Sequence, residues 1–212
     1  MGKIIFTIAT MFLLASCGGE SSAPTDEGNN IEEVEMRSLS PNISGVFMVD
    51  TGTSVVQWEG SKLAGTHHGV VSVLVGEITV EHGEVKQGTV ELDLSTIKEL
   101  DVSLELAAKL EKHLKDEAFF NVAEFPKATI FVTSVQKDTV YADLTIKGKT
   151  KSIEFSASIK VTQDNVSIAA KFTIDRTDWG IVYKSGNFFT DLAKDKIISD
   201  DIIFDIKMKA TR

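Results

Sequence analysis

From about Val46 onward, apolar and polar residues take turns along the chain with a period of two. In "TVELDLS" (89–95), Val90, Leu92 and Leu94 share one face while Glu91 and Asp93 take the other. "VYADLTIKG" (140–148) sets Val140, Ala142, Leu144 and Ile146 against Tyr141, Asp143, Thr145 and Lys147. "IIFDIKMKA" (202–210) does the same with Ile202, Phe204, Ile206 and Met208. Side chains on a strand alternate between its faces, so each stretch predicts a strand with one dry and one wet side. Turn-forming clusters such as "EHGEV", "QKDTV", "KGKTK" and "TQDNV" separate them, as in an antiparallel meander. About eight such strands remove their exposed edges most simply by closing on themselves. The predicted fold class is all-β, an antiparallel barrel.

One stretch departs from this rhythm. "SLELAAKLEKHLKD" (103–116) carries Leu106, Leu110 and Leu114 at spacing four among good helix formers. Ser103 is positioned to cap its start and Lys115 stands in its last turn. Directly after it, "EAFFNVAEFP" (117–126) brings Phe119, Phe120 and Phe125 into a connecting segment. A helix laid across one end of a small barrel forms its lid or its mouth, with the three leucines and the rings over the interior. Eight strands enclose either packed side chains or one small ligand, and periodicity does not separate the two.

The start of the chain reads differently. Lys3 precedes an apolar run from Ile4 to Leu14, the length of a signal peptide and too short for a membrane span. The run ends in "LLASC", and its small residues before the single cysteine resemble the lipobox of bacterial lipoproteins. That resemblance implies removal of residues 1–16 and lipidation of Cys17. Residues 17–45 are rich in Gly, Ser, Asn and acids, the composition of a flexible tether with a reach of roughly 30 Å. The folded domain is expected over 46–212. The residue after the cysteine is Gly18, which by the same resemblance favours the outer membrane, facing the periplasm or the surface.

Charge and candidate chemistry narrow the function. A net charge of -9 argues against nucleic acid, which needs clustered Lys and Arg. A single cysteine allows no disulfide within the chain. His67 and His68 are neighbours and face opposite ways on a strand, and neither His82 nor His113 stands at metal-ligand spacing from them. No metal and no cofactor is therefore expected. "DRTDWG" (175–180) reads as a strand-end turn with an Arg–carboxylate bond and a bend at Gly180. Trp58 and Trp179 read as core residues. Lys147, Lys149 and Lys151 read as a solvated hairpin. No nucleophile elbow, phosphate loop or Cys–His arrangement is present, so an enzyme is not expected.

Several segments together resemble the YceI-like family of secreted bacterial proteins. They are "WEGSKLAGTHHG" (58–69), "HLKDEAFFNVAEFPKATI" (113–130), "DLTIKGKTKSIEF" (143–155), "DRTDWGI" (175–181) and "SGNFFTDLAKDKIISDDIIFDIKM" (185–208). The resemblance implies a lipocalin-like barrel whose apolar interior holds an isoprenoid or another long-chain lipid, with no catalytic reaction. The residues expected to meet such a ligand are Trp58, His67, Leu106, Leu110, Leu114, Phe119, Phe120, Phe125, Trp179, Phe188 and Phe189. His67 falls on the family's Gly-x-His-x-Gly pattern with Gly65 and Gly69. The expected partners are that lipid and, through Cys17, a membrane of the bacterial envelope. Pairing into a homodimer stays open, as do the competing functions of a scaffold module or a hydrolase.

Overall fold

A computed structural model describes residues 42–212. The expected signal peptide, Cys17 and nearly all of the expected tether lie outside the described residues. The elements run β1 (Gly45–Val49), β2 (Val55–Lys62), β3 (Gly65–Glu81), β4 (Glu84–Glu99), α1 (Leu104–Lys115), β5 (Lys127–Gln136), β6 (Thr139–Ile146), β7 (Lys149–Val161), β8 (Asn165–Asp175) and β9 (Ile198–Thr211). Short 3-10 turns occupy Arg176–Trp179 and Lys194–Lys196.

Every pairing is antiparallel, and the order β3-β2-β9-β8-β7-β6-β5-β4 returns to β3. The barrel therefore has eight staves made from nine strands. β1 and β2 share one stave, because each lies between β3 and β9. A turn at Asp50 splits that stave: its carboxylate accepts from the Gly52 and Thr53 amides at 3.0 and 3.3 Å and from the Thr53 hydroxyl at 2.7 Å. This is an Asx-type turn, in which a short acid replaces ladder partners.

The two ends differ. At the base, tight hairpins join β3 to β4, β5 to β6 and β7 to β8, and the chain enters there, with Gly45 opposite Val80 and the Gly83 amide donating to Ile43. At the mouth lie the β2–β3 hairpin, α1 with its following loop, the β6–β7 hairpin and the long connection from Arg176 to Ile197. The inner faces match the alternation: Val90, Leu94, Val140, Ala142, Leu144, Ile146, Ile202 and Met208 are buried.

Two local devices shape the mouth. The β4 strand carries a bulge: Ser72 pairs with Asp93 and Val70 with Lys98, so β4 spends five positions where β3 spends two. Within it Asp93 accepts from the Ser95 amide and hydroxyl at 2.9 and 2.6 Å, and Thr96 receives the Ser72 amide at 2.9 Å. The inward phase consequently moves from Val90 and Leu94 to Ile97 and Glu99, all buried. The second device is Arg176, 1% exposed, which donates to the carbonyls of Ser199, Ile198 and Ile181 and pairs with Asp200 at 3.1 Å. The expected Arg–carboxylate bond is present, with Asp200 on β9 as the acceptor. Gly180 takes the left-handed conformation there (φ 76°), and Asp175 caps the turn through the Thr177 amide at 2.8 Å.

Candidate functional site

The barrel interior contains two apolar cavities stacked along its axis. The one at the mouth measures about 100 Å³, and among its walls are Trp58, Gly60, Leu114, Phe119, Phe120 and Phe172. The one toward the base measures about 60 Å³ and is walled by residues such as Ile78, Val140, Phe155 and Met208. Ile130 and Ile206 belong to both walls and mark the level where the cavities meet. Three rings cross that level: Phe155 stacks on Phe172 at 4.4 Å, and Phe172 leans on Phe204 at 5.6 Å. Every lining residue is apolar or glycine, save for the indole nitrogen of Trp58, which is buried with no hydrogen-bond partner among the described residues.

The lid is built from α1 and the loop behind it. Helix ends leave backbone carbonyls unpaired, and here the loop turns back to use them: the Phe120 amide donates to Leu114 at 3.1 Å and the Val122 amide to Lys115 at 3.0 Å. That fold-back, with Asn121 at φ 50°, sends both rings into the barrel. Phe119 and Phe120 meet edge to face at 5.0 Å, and the Arg176 guanidinium lies 5.6 Å above Phe119. The loop is also fastened outside. Phe125 packs on Gly148, where an added Cβ would stand 2.7 Å from the ring, and Lys147 donates to the Glu117 carbonyl at 2.8 Å. The "KGKTK" hairpin is thus a fastening point for the lid as well as a solvated surface.

His113 on α1 packs at a tilt against Tyr183, ring centres 4.4 Å apart, and edge to face with Phe119 at 5.8 Å. Burial holds its pKa below the usual histidine value, and Lys184 adds to that, while Asp116 opposes it.

The residues singled out from the sequence divide into three groups. Trp58, Leu114, Phe119 and Phe120 line the mouth cavity, and Leu110 packs behind them. His67 stands at the rim, opposite the cavity-lining Gly60. The others face elsewhere. Leu106 is 54% exposed, because spacing four on a helix drifts about 40° per step, and the buried stripe runs through Ala107 and Leu114 instead. Phe125 lies on the outside of the lid. Trp179 is buried in its 3-10 turn with Nε1 donating to the Leu144 carbonyl at 3.0 Å, beside the cavity's wall rather than in it. Phe188 and Phe189 are exposed, because both amides turn back to the Ser185 carbonyl, whose own hydroxyl is held by Asp200 at 2.8 Å.

Sequence reasoning missed Glu99 and Asp101. Both stand beside His67 at the rim, with one ligand-type atom from each of the three within 4.8 Å of the others. Plain alternation from Leu94 would turn Lys98 inward and Glu99 outward, and the bulge reverses them. The available signal was "DLS" itself, since Asp and Ser close together in a strand favour local side-chain-to-backbone bonds over the ladder. His68, as expected from alternation, faces away.

Among known proteins, the YceI-like domain model matches residues 47–210. Protein YceI of Escherichia coli O157:H7 is 39% identical over 56 residues, 24% of this chain and 29% of the relative. A UPF0312 protein of Staphylococcus aureus (strain MSSA476) is 36% identical over 78 residues, 34% of this chain and 46% of the relative. The matched stretches thus span less than half of these curated relatives. Among solved structures, Burkholderia cenocepacia BcnA superposes with a TM-score of 0.60 at 16% identity, covering 77% of this chain and 99% of that one. A polyisoprenoid binding domain from Saccharophagus degradans, implicated in plant cell wall breakdown, gives 0.57 at 14% identity, covering 78% and 97%. At such identities the likeness is one of fold alone. Because the family model spans nearly all of the barrel, from β1 to the end of β9, the chain belongs to the YceI-like family.

Proposed function

We propose that this protein binds the hydrocarbon part of an isoprenoid or fatty-acyl lipid inside its barrel and carries it without chemical change. The observation that carries the reading is the pair of stacked cavities walled almost wholly by hydrocarbon under an aromatic lid. Burying a methylene in such a space contributes ~0.8 kcal/mol, so a wall of this kind selects for chain and is indifferent to most head groups. The domain from Saccharophagus degradans, described as polyisoprenoid-binding, has the same fold and adds support.

The size of the cavities adds a requirement. The two cavities, about 100 and about 60 Å³, are small beside the tail of a long-chain lipid. Such a tail enters only if Ile130 and Ile206 change rotamer or the Phe119–Phe120 lid lifts. The structure is thus read as the closed form of a carrier. The lipobox-like segment at Cys17 supports a place on an envelope membrane, with the barrel held off that surface by the tether.

The test is native mass spectrometry of the full-length chain extracted in mild detergent, with solvent extraction of whatever is bound and titration with a dansylated farnesyl probe. A co-purifying lipid, or saturable probe uptake at one per chain, is the expected result. Lipid-free protein that ignores the probe leaves a tethered scaffold as the function.

A further inference from the structure

The rim cluster is independent of the hydrocarbon walls and holds an electrostatic problem. Glu99 is 6% exposed. Its Oε1 accepts from the amides of Leu100 and Asp101 at 3.2 and 3.1 Å. Its Oε2 is buried with no partner among the described residues, and so is Nδ1 of His67. Asp101 Oδ1 lies 3.5 Å from that nitrogen, without the alignment of a hydrogen bond. Two carboxylates and an imidazole thus share a space under 5 Å across, with two buried polar atoms left unsatisfied. Buried polar groups are normally paired, and each exception calls for a physical reason.

We propose that His67, Glu99 and Asp101 form a binding site for a divalent transition-metal ion, of which zinc is the best match. A cation removes the repulsion between the two acids and gives both orphaned atoms a partner. The donor set is one imidazole nitrogen and two carboxylate oxygens, which suits zinc or manganese, while calcium and magnesium prefer oxygen alone. Two ligands on a tetrahedral zinc, each at about 2.1 Å, stand about 3.4 Å apart. The His67–Asp101 spacing of 3.5 Å already meets that. The supporting groups are in place too: the Glu99 carboxylate is oriented by two backbone amides, and the Glu99 amide donates to Glu111 at 3.1 Å. Three protein ligands on a four-coordinate ion leave one position for an oxygen from solvent, at the entrance of the cavity. The rival explanation is a proton on Glu99 in place of the metal.

The site does not depend on lipid binding, and its test reads the metal alone. Full-length protein stripped with a chelator is titrated with zinc chloride, manganese chloride and calcium chloride by calorimetry. One zinc per chain is expected, bound at least about 10-fold more tightly than calcium. Zinc at 100 times its Kd should raise Tm by about 5–10 °C. Glu99→Gln and Asp101→Asn should each weaken zinc by more than about 100-fold, the upper end of what loss of a supporting partner alone costs. The metal-free Glu99→Gln protein should melt no lower than the metal-free parent, which separates ligand loss from misfolding. Absence of zinc binding, or zinc binding unchanged in both variants, overturns the assignment and leaves the proton.

Discussion

Gly60 offers a direct way to ask whether the mouth cavity is real and whether it is where a lipid goes. It lines the cavity, pairs with His67 and Ile202, and an added Cβ there meets no atom within 4 Å. Gly60→Leu adds four carbon-sized groups pointing into a cavity of about 100 Å³. Burying them is worth ~3 kcal/mol gross, and ordering a leucine side chain takes back ~0.5–1 kcal/mol. The variant should therefore be about 2 kcal/mol more stable, with Tm up by about 4–8 °C in a domain of this size. The same four groups occupy the space of a guest's first carbons, so uptake of a farnesyl probe should fall about 100-fold. Thermal unfolding by circular dichroism and probe fluorescence measure the two effects on one sample. A variant destabilised by more than about 2 kcal/mol refutes the cavity. One that is stabilised yet binds the probe as before refutes the cavity as the binding site.

Gly69→Ala makes the opposite case: its Cβ would stand 1.8 Å from the Lys98 carbonyl oxygen and 2.6 Å from the Trp58 ring, so backbone must shift. A loss of about 3 kcal/mol is expected in chemical denaturation, the upper range for forced overpacking. His113 gives the fold a pH dependence of known sign. Its folded-state pKa lies below the unfolded value of 6.5, so the unfolded chain takes up a proton first and stability declines as pH falls below that value. Melting at pH 7.5 and 5.5 should show a smaller acid-side drop in Tm for His113→Leu than for the parent, and an equal drop would remove His113 as the cause.

Much of the barrel was legible because alternation is a one-dimensional record of two faces. Where the ladder is regular, as in β6 and β9, the apolar positions read from the sequence are the ones turned inward. The split stave was not legible, since β1 and β2 each look like an ordinary short strand and only their shared neighbours reveal one stave. The site was partly legible for the same reason. Phe119 and Phe120 were marked by their oddity in a connecting segment, but Phe125 lies outside because Gly148 offers it a flat seat. Leu106 followed a spacing that is nearly, though not fully, helical. Glu99 was hidden because a bulge shifts phase without changing composition. His67 could be flagged from the family's Gly-x-His-x-Gly pattern, whereas its neighbours at the rim depend on how two strands slip past each other.

The chain enters the barrel at its base, with Gly45 against Val80, at the end remote from the Lys62–Gly65 hairpin and the lid. A load, label or solid support joined directly at residue 42 therefore sits at the floor and leaves the doorway clear. Molecules held by a short link at that point should present their lids to solution, ready to meet a donor or an acceptor.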